Sequence, residues 1–441
     1  MKLFLFLLIL LSTVSCSFDD KTGIWKNERN SLDNKSGSFS DFKKIGVNES
    51  SFNEEIKLTK KLVINIPKKI KNKAWEDIYY NKYNNFDNFA YDEAKNLIFK
   101  SKKISKYKIS KSFLYDKGNL ILTDEKGNLI IFSLEENQVI TKFNFYKKKY
   151  KKLKKNLNIV VSKSIIYTSD NFGFIYAFDY RKNKILWAKD NKIPFRSNLK
   201  IVDNKLLTSD QNNRVFIFDK KNGNILRLIP TEETKIKNNF KNNFSLNNES
   251  IFILNTYGSL YSINNETSNI KWVTNLNQSI DINPSNLFNG HELISNSNFV
   301  IVSTQDATYI INSSNGAIIS KLNIVSQIKP LIINNHLFII SSNNLLICID
   351  VETSKIVYSF NVNKKIAEFL NIKQNTALFE EIMIANNKIL LILKNAYIVE
   401  IEMTGDLKNI FKLPTKINSK LIFIDNSILY LNNKNKLMVL G

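Results

Sequence analysis

A short unit returns eight times along this chain, most clearly as NFGFIYAFDYRKNKILWAKD at residues 171–190. Gly173 suits a tight turn because glycine tolerates positive φ. Ile175, Ala177 and Phe178 then supply a compact apolar strand that Asp179 ends, and a polar turn leads to Ile185, Leu186 and Trp187. Short apolar runs bounded by polar clusters read as buried strands. The same frame places turns at Gly127, Gly173, Asn213, Gly258, Asp306, Asn344, Ala396 and Asn435. Five residues after each stand Phe132, Phe178, Phe218, Ile263, Ile311, Ile349, Ile401 and Leu440, all apolar. The spacing runs from 38 residues (Asp306 to Asn344) to 52 (Asn344 to Ala396), which is the period of four-stranded propeller blades. Another apolar strand precedes every turn, as in SIIYTSD before Gly173 and LFIISS before Asn344. One such sheet cannot cover its own two faces, whereas radial stacking covers them and leaves only short edges. The expected fold is all-β: an eight-bladed β-propeller of four-stranded blades. The eighth copy stops at Gly441 one strand short, and AKNLIFKSKKI (94–104) holds a spare strand. This N-terminal strand is expected to complete the last blade and close the ring.

The unit carries little chemistry. Asp179, Asp219 and Asp350 occupy equivalent repeat positions, which reads as turn capping rather than as a convergent metal site. Trp187 and Trp272 share one offset and read as packing between blades. The chain has two histidines, His291 and His336, neither with a partner at metal-ligand spacing, and two cysteines, Cys16 and Cys348. Cys348 lies in the apolar run LLICID and is expected to be a buried structural thiol. No nucleophile with an adjacent base and no phosphate-cradling glycine loop occurs, so neither a cofactor nor a metal is expected. Lysine and arginine number 63 against 40 acids, a formal charge of +23. That balance favours anionic partners, although Lys, Asn and Ile crowd every segment and the charge also reads as compositional bias. The run KKKYKKLKK (147–155) reads as a solvated loop, with acidic lipid headgroups as its alternative partner.

The N-terminus has the layout of a secretory signal: Lys2, an apolar run from Leu3 to Leu11, and small residues before Cys16. The apolar run is too short to span a bilayer. The small residues ending at a cysteine resemble a bacterial lipoprotein signal, with residues 1–15 removed and Cys16 lipidated. Thr13 departs from that pattern, and a plain signal peptide is the alternative. Residues 16–70 are rich in Ser, Asn, Lys and Asp without a sustained period and read as a tether; residues 71–441 form the propeller. A secretory route takes the protein away from nucleic acid, and none is expected as a partner.

The unit G-x-h-x-A-h-D-x-x-x-G-x-h-x-W, matched best at 173–187 and again around Trp272 in NIKWVTNL, resembles the repeat of pyrroloquinoline-quinone-type propellers. A lipoprotein signal, then SFDDKTGIW, a tether, the segment AWEDIYYNKYNNFDNFAYD (74–92) and eight blades together resemble the BamB family, lipoprotein subunits of the outer-membrane β-barrel assembly machinery. The resemblance implies a non-enzymatic scaffold, anchored through Cys16 on the periplasmic face of the outer membrane. Its implied partners are the periplasmic domains of BamA, the barrel-forming subunit, and other subunits of the complex, and its implied role is support of outer-membrane protein folding and insertion. It also implies contact through IPFRSN (193–198), that is Ile193, Phe195 and Arg196. An acidic residue of a neighbouring connection is implied beside them: Asp281, or else Glu232 and Glu233. Arginine flanked by apolar anchors fits an interaction hot spot on general grounds; the opposing reading makes Pro194 and Phe195 the start of the next blade, with Arg196 solvated. Two rivals stand beside the scaffold: a generic membrane-anchored binding propeller, and a quinone-dependent enzyme built on the same repeat. The resemblance would give that enzyme a pair of adjacent cysteines and carboxylates for Ca²⁺, and no Cys-Cys pair occurs here.

Overall fold

Eight antiparallel sheets of four strands each make up the fold. The computed structural model describes residues 52–58, 64–93, 96–146, 150, 152–235, 241–277, 288 and 290–441, all within one unit, Asn48–Gly441. Blade 2 is representative: Leu157–Ser162 lies innermost, followed by Ile165–Asp170, Phe174–Asp179 and Lys184–Asp190. Its second and third strands are almost wholly buried, which is why they read as continuous apolar runs. The outermost strand alternates toward exposure because one face meets water.

The turn between second and third strands explains the frame of the repeat. Gly127, Gly173, Asn213, Gly258, Asn344, Ala396 and Asn435 all have positive φ, the conformation glycine and asparagine adopt at least cost. Asp306 is the exception, since the blade 5 hairpin is one residue shorter. There the Thr304 amide donates directly to the Ala307 carbonyl (2.8 Å). The acids and amides ending the third strands cap the next turn, as Asp179 does by accepting from the Arg181 and Lys182 amides (3.1 and 3.0 Å).

Neighbouring blades dock through aromatic side chains. Trp187 of blade 2 donates from Nε1 to the Lys220 carbonyl of blade 3 (3.0 Å). Its ring lies where a Cβ on Gly223 would come within 2.5 Å. Trp272 of blade 4 repeats the arrangement on Ser313 and Gly316 of blade 5.

Closure follows the expectation from the sequence. The strand Leu97–Lys100 pairs antiparallel with Leu437–Leu440 and forms the outer strand of blade 8, in the register Leu97 to Leu440 and Lys100 to Met438. The one helix among the described residues, α1 (Val362–Leu370), lies in the connection from blade 6 to blade 7. Residues 52–58 rest against blade 6, with Phe52 buried and Ile56 bridging Ser359, so the body includes part of the stretch expected to be tether.

Candidate functional site

Connections between blades cross one rim of the propeller, the same rim that carries the turns at Gly127, Gly173 and their equivalents. Residues 191–199 link the outer strand of blade 2 to the inner strand of blade 3, Lys200–Val202. The link is held by main-chain bonds: the Phe195 amide donates to Asp170 O (3.0 Å), the Arg196 amide to Ser209 O (2.9 Å), and Arg196 O accepts from the Asn242 amide (2.9 Å). Gly173 matters here directly, since a Cβ on it would stand 2.7 Å from the Ile193 carbonyl oxygen.

The expected contact residues separate at this point. Phe195 is only 2% exposed and packs edge-on to Phe216 at 6.1 Å, so its ring joins blade 2 to blade 3 and is not a surface anchor. That is a correction to the expectation, and its cause is the strand-like main chain of 194–197, which sends alternate side chains inward. Ile193 and Arg196 are half-buried. Burial lowers the pKa of the Arg196 guanidinium, with no carboxylate offsetting it. Glu232 accepts from Ser259 Oγ (2.5 Å) and Asn255 Nδ2 (3.2 Å), so its carboxylate is engaged by blade 4; Glu233 is exposed. Asp281 and Cys16 lie outside the described residues. In the basic run 147–155, Lys155 turns inward and donates to the Tyr150 and Leu153 carbonyls.

Sequence reading missed what lies on the axis. Residues 70–92 enter the central channel and meet the inner strand of every blade. Trp75 exchanges main-chain bonds with Tyr115 of blade 1 (2.8 and 2.9 Å), and Glu76 O accepts from Val161 of blade 2 (2.9 Å). Lys200 of blade 3 donates to Asp77 Oδ2 (2.7 Å), Asn81 O (2.8 Å) and Asn84 Oδ1 (2.5 Å). Asn84 Nδ2 donates to Phe244 O of blade 4 (2.7 Å), and Tyr83 O accepts from Ser295 of blade 5 (3.0 Å). Asn85 donates to Ile332 O of blade 6 (2.8 Å), the Phe89 amide to Ile384 O of blade 7 (3.3 Å), and Asn72 Nδ2 to Phe423 O of blade 8 (2.8 Å). Rings fill the space between these bonds, among them Phe89 stacked on Phe423 at 5.3 Å.

Charges on the axis are matched. Lys200 pairs with Asp77, and Lys420 with Glu381 at 3.2 Å. Burial works to raise the Glu292 pKa, but Lys420 and Lys329 hold it below the ordinary carboxyl value. Burial, reinforced by Lys420, lowers Lys329 to about 8; its ammonium donates to Asn84 O (2.6 Å) and lies 4.1 Å from the Phe86 ring centre. These residues do not fit a quinone on the axis: the chain itself takes the space, the axial carboxylates face lysines, and no two cysteines are adjacent.

Eight blades carrying this repeat, two of them docked on the next through a tryptophan, define a propeller of the pyrroloquinoline-quinone-repeat class. More narrowly, the chain belongs to the family described as outer membrane protein assembly factor BamB, whose profile matches residues 125–360, more than half of its length. Among solved structures it is similar to BamB from Moraxella catarrhalis, with 10% identity, a TM-score of 0.60, and coverage of 79% of this chain and 100% of that one. The quinohemoprotein alcohol dehydrogenase of Comamonas testosteroni also shares the fold, at 8% identity, a TM-score of 0.60, and coverage of 84% and 81%. The computationally designed Ika8 protein matches at 9% identity and a TM-score of 0.56, over 77% and 99% of the two chains. No curated protein sequence matches this chain significantly.

Proposed function

We propose that the protein is a non-enzymatic scaffold of outer-membrane β-barrel assembly, held at the periplasmic face of the outer membrane by a lipid on Cys16. Its partner is the periplasmic part of the barrel-forming subunit, BamA in the naming of this family. The observation that carries the reading is the family match over 125–360. The filled axis supports it, because residues 70–92 take the central space in which a cofactor would otherwise have room. Arg196 is the contact this reading favours: a rigid main chain presents at the rim, beside half-buried Ile193, a guanidinium that pairs with no carboxylate among the described residues. A preorganised arginine of this kind gains more from a carboxylate on a partner than a mobile one does.

Co-purification from detergent-solubilised outer membranes tests the proposal. The wild-type lipidated protein is expected to recover an outer-membrane barrel protein with periplasmic domains. Arg196→Glu is expected to lower that recovery at least tenfold, equivalent to about 1.4 kcal/mol. Full recovery with Arg196→Glu removes the contact from the account, and recovery of no such barrel by the wild type removes the scaffold reading.

A further inference from the structure

Around blade 1, the same rim gathers lysines with little acid to balance them. Three stretches converge on Tyr107: the connection SKKISKYKISKSF (101–113), the hairpin containing Lys126, and the outer strand Gln138–Asn144. The ammonium groups of Lys106, Lys126 and Lys142 lie 5.2, 5.7 and 5.9 Å from the centre of the Tyr107 ring. Among the described residues none of the three forms an ion pair; the nearest lysine that does, Lys111, is engaged by Glu380. Of the two acids in this hairpin, Asp124 is buried and consumed by its own turn: Oδ1 accepts from the Lys126 and Asn128 amides (2.9 and 3.2 Å), and Oδ2 from Ser105 Oγ (3.1 Å). Half-buried Glu125 is then the one acid left to set against three lysines. Tyr107 itself is fixed, its carbonyl accepting from Asn435 Nδ2 (2.7 Å) and its amide donating to Ser105 Oγ (3.1 Å). The ring therefore holds three cations together that otherwise repel one another, and an anion at this place relieves the repulsion.

What kind of anion is indicated by the next connection. Lys152 and Lys154 are exposed there, and Leu153 between them is 49% exposed. An apolar side chain projecting between lysines is what an interfacial segment presents to a bilayer, where the cations meet headgroup phosphates and the apolar group enters the boundary. Leu153 stands between lysines without an apolar neighbour in its segment, which suits insertion at a headgroup boundary better than a packed protein interface. We propose that this patch, centred on Tyr107 with Lys106, Lys126 and Lys142 and extended by Leu153, docks on an anionic phospholipid surface. The inference is independent of the scaffold reading. It also extends the basic contact from the run 147–155, whose Lys155 turns inward, to lysines distant in sequence.

Vesicle co-sedimentation tests it, using the full chain with Cys16→Ser so that no acyl group contributes. The chain is expected to bind phosphatidylcholine vesicles containing about a third phosphatidylglycerol, to ignore pure phosphatidylcholine, and to be released as salt rises from about 0.05 to about 0.5 M. The triple variant Lys106→Gln, Lys126→Gln, Lys142→Gln is expected to lose about 100-fold in partitioning, as for three lysines at a charged surface. A control of equal net charge, Lys163→Gln, Lys221→Gln, Lys355→Gln on the opposite rim, is expected to lose less than about threefold. Circular dichroism of both variants verifies folding. Equal losses in the two triples assign the effect to net charge and overturn the proposal. So does indifference of the wild type to phosphatidylglycerol. Vesicle binding retained by the first triple while duplex DNA binding is lost overturns the lipid assignment in favour of nucleic acid.

Discussion

Asn84 concentrates the physics of the axis in one side chain. It is wholly buried with φ of 57°, and its amide donates to two carbonyl oxygens of different blades, Phe244 O and Leu293 O (both 2.7 Å). Its Oδ1 and main-chain oxygen accept from Lys200 and Lys329. Asn84→Ala orphans these buried groups and places alanine in the left-handed region, so a loss of about 3 kcal/mol is expected in chemical denaturation. Nothing in the sequence marked this residue, because its partners stand 116 to 245 positions away and no local period connects them. The repeat turns were legible for the opposite reason: Gly173 and its equivalents answer a purely local demand for positive φ. Lys329 adds a pH signature. Its folded pKa, about 8, lies below the ordinary 10.5, so between those values the unfolded chain binds more protons and stability rises with pH. In chemical denaturation at pH 7.5 and 9.5 the wild type is expected to gain up to about 2 kcal/mol relative to Lys329→Met; the comparison with the variant cancels the other groups that titrate in this window, Lys200 and the buried tyrosines among them.

At the scale of elements, the strand count and the closing strand were readable because each follows from apolar runs of fixed offset. The pairing of Leu97–Lys100 with Leu437–Leu440 joins the two ends of the ring, and further main-chain bonds extend it, from Ser101 N to Leu437 O and from Ile104 N to Asn435 O (both 3.0 Å). Deleting residues 94–104 leaves blade 8 with an open edge and three strands. The thermal transition is expected to fall by about 5 °C or more in calorimetry; an unchanged transition contradicts a stabilising role for the closure. Helix α1 was not anticipated, although traces of it exist. The Asn344 to Ala396 spacing is the longest of the set, and Asn361 and Asn371 stand at the helix ends, Asn361 accepting from the Lys364 amide and Asn371 adopting φ of 50°. Two asparagines in a chain rich in asparagine carry too little contrast to be read as caps. The expected anchor at Phe195 failed for a related reason: a hydrophobe in a connection looks exposed until the connection is seen to pair, through Phe195 and Asp210, with the next blade.

Over the whole molecule, the ring is held twice, by a strand on its outside and by an axial segment touching all eight inner strands. Sequence reading found the first of these and took the second only as a segment preceding the blades, since a chain that makes one or two contacts with each blade copies none of their periodicity. With its axis filled, the propeller has its rims left for recognition, and the rim of blade connections presents Arg196 between blades 2 and 3. The central claim is that this rim faces a barrel-assembly partner. Site-specific photo-crosslinking in living cells tests it most directly, with a photoreactive residue replacing Ile193 in one strain and Lys355, on the opposite rim, in another. An adduct whose second component is an outer-membrane barrel protein with periplasmic domains is expected from position 193 and not from position 355. Adducts from position 355 alone, or no such barrel from position 193, contradict it.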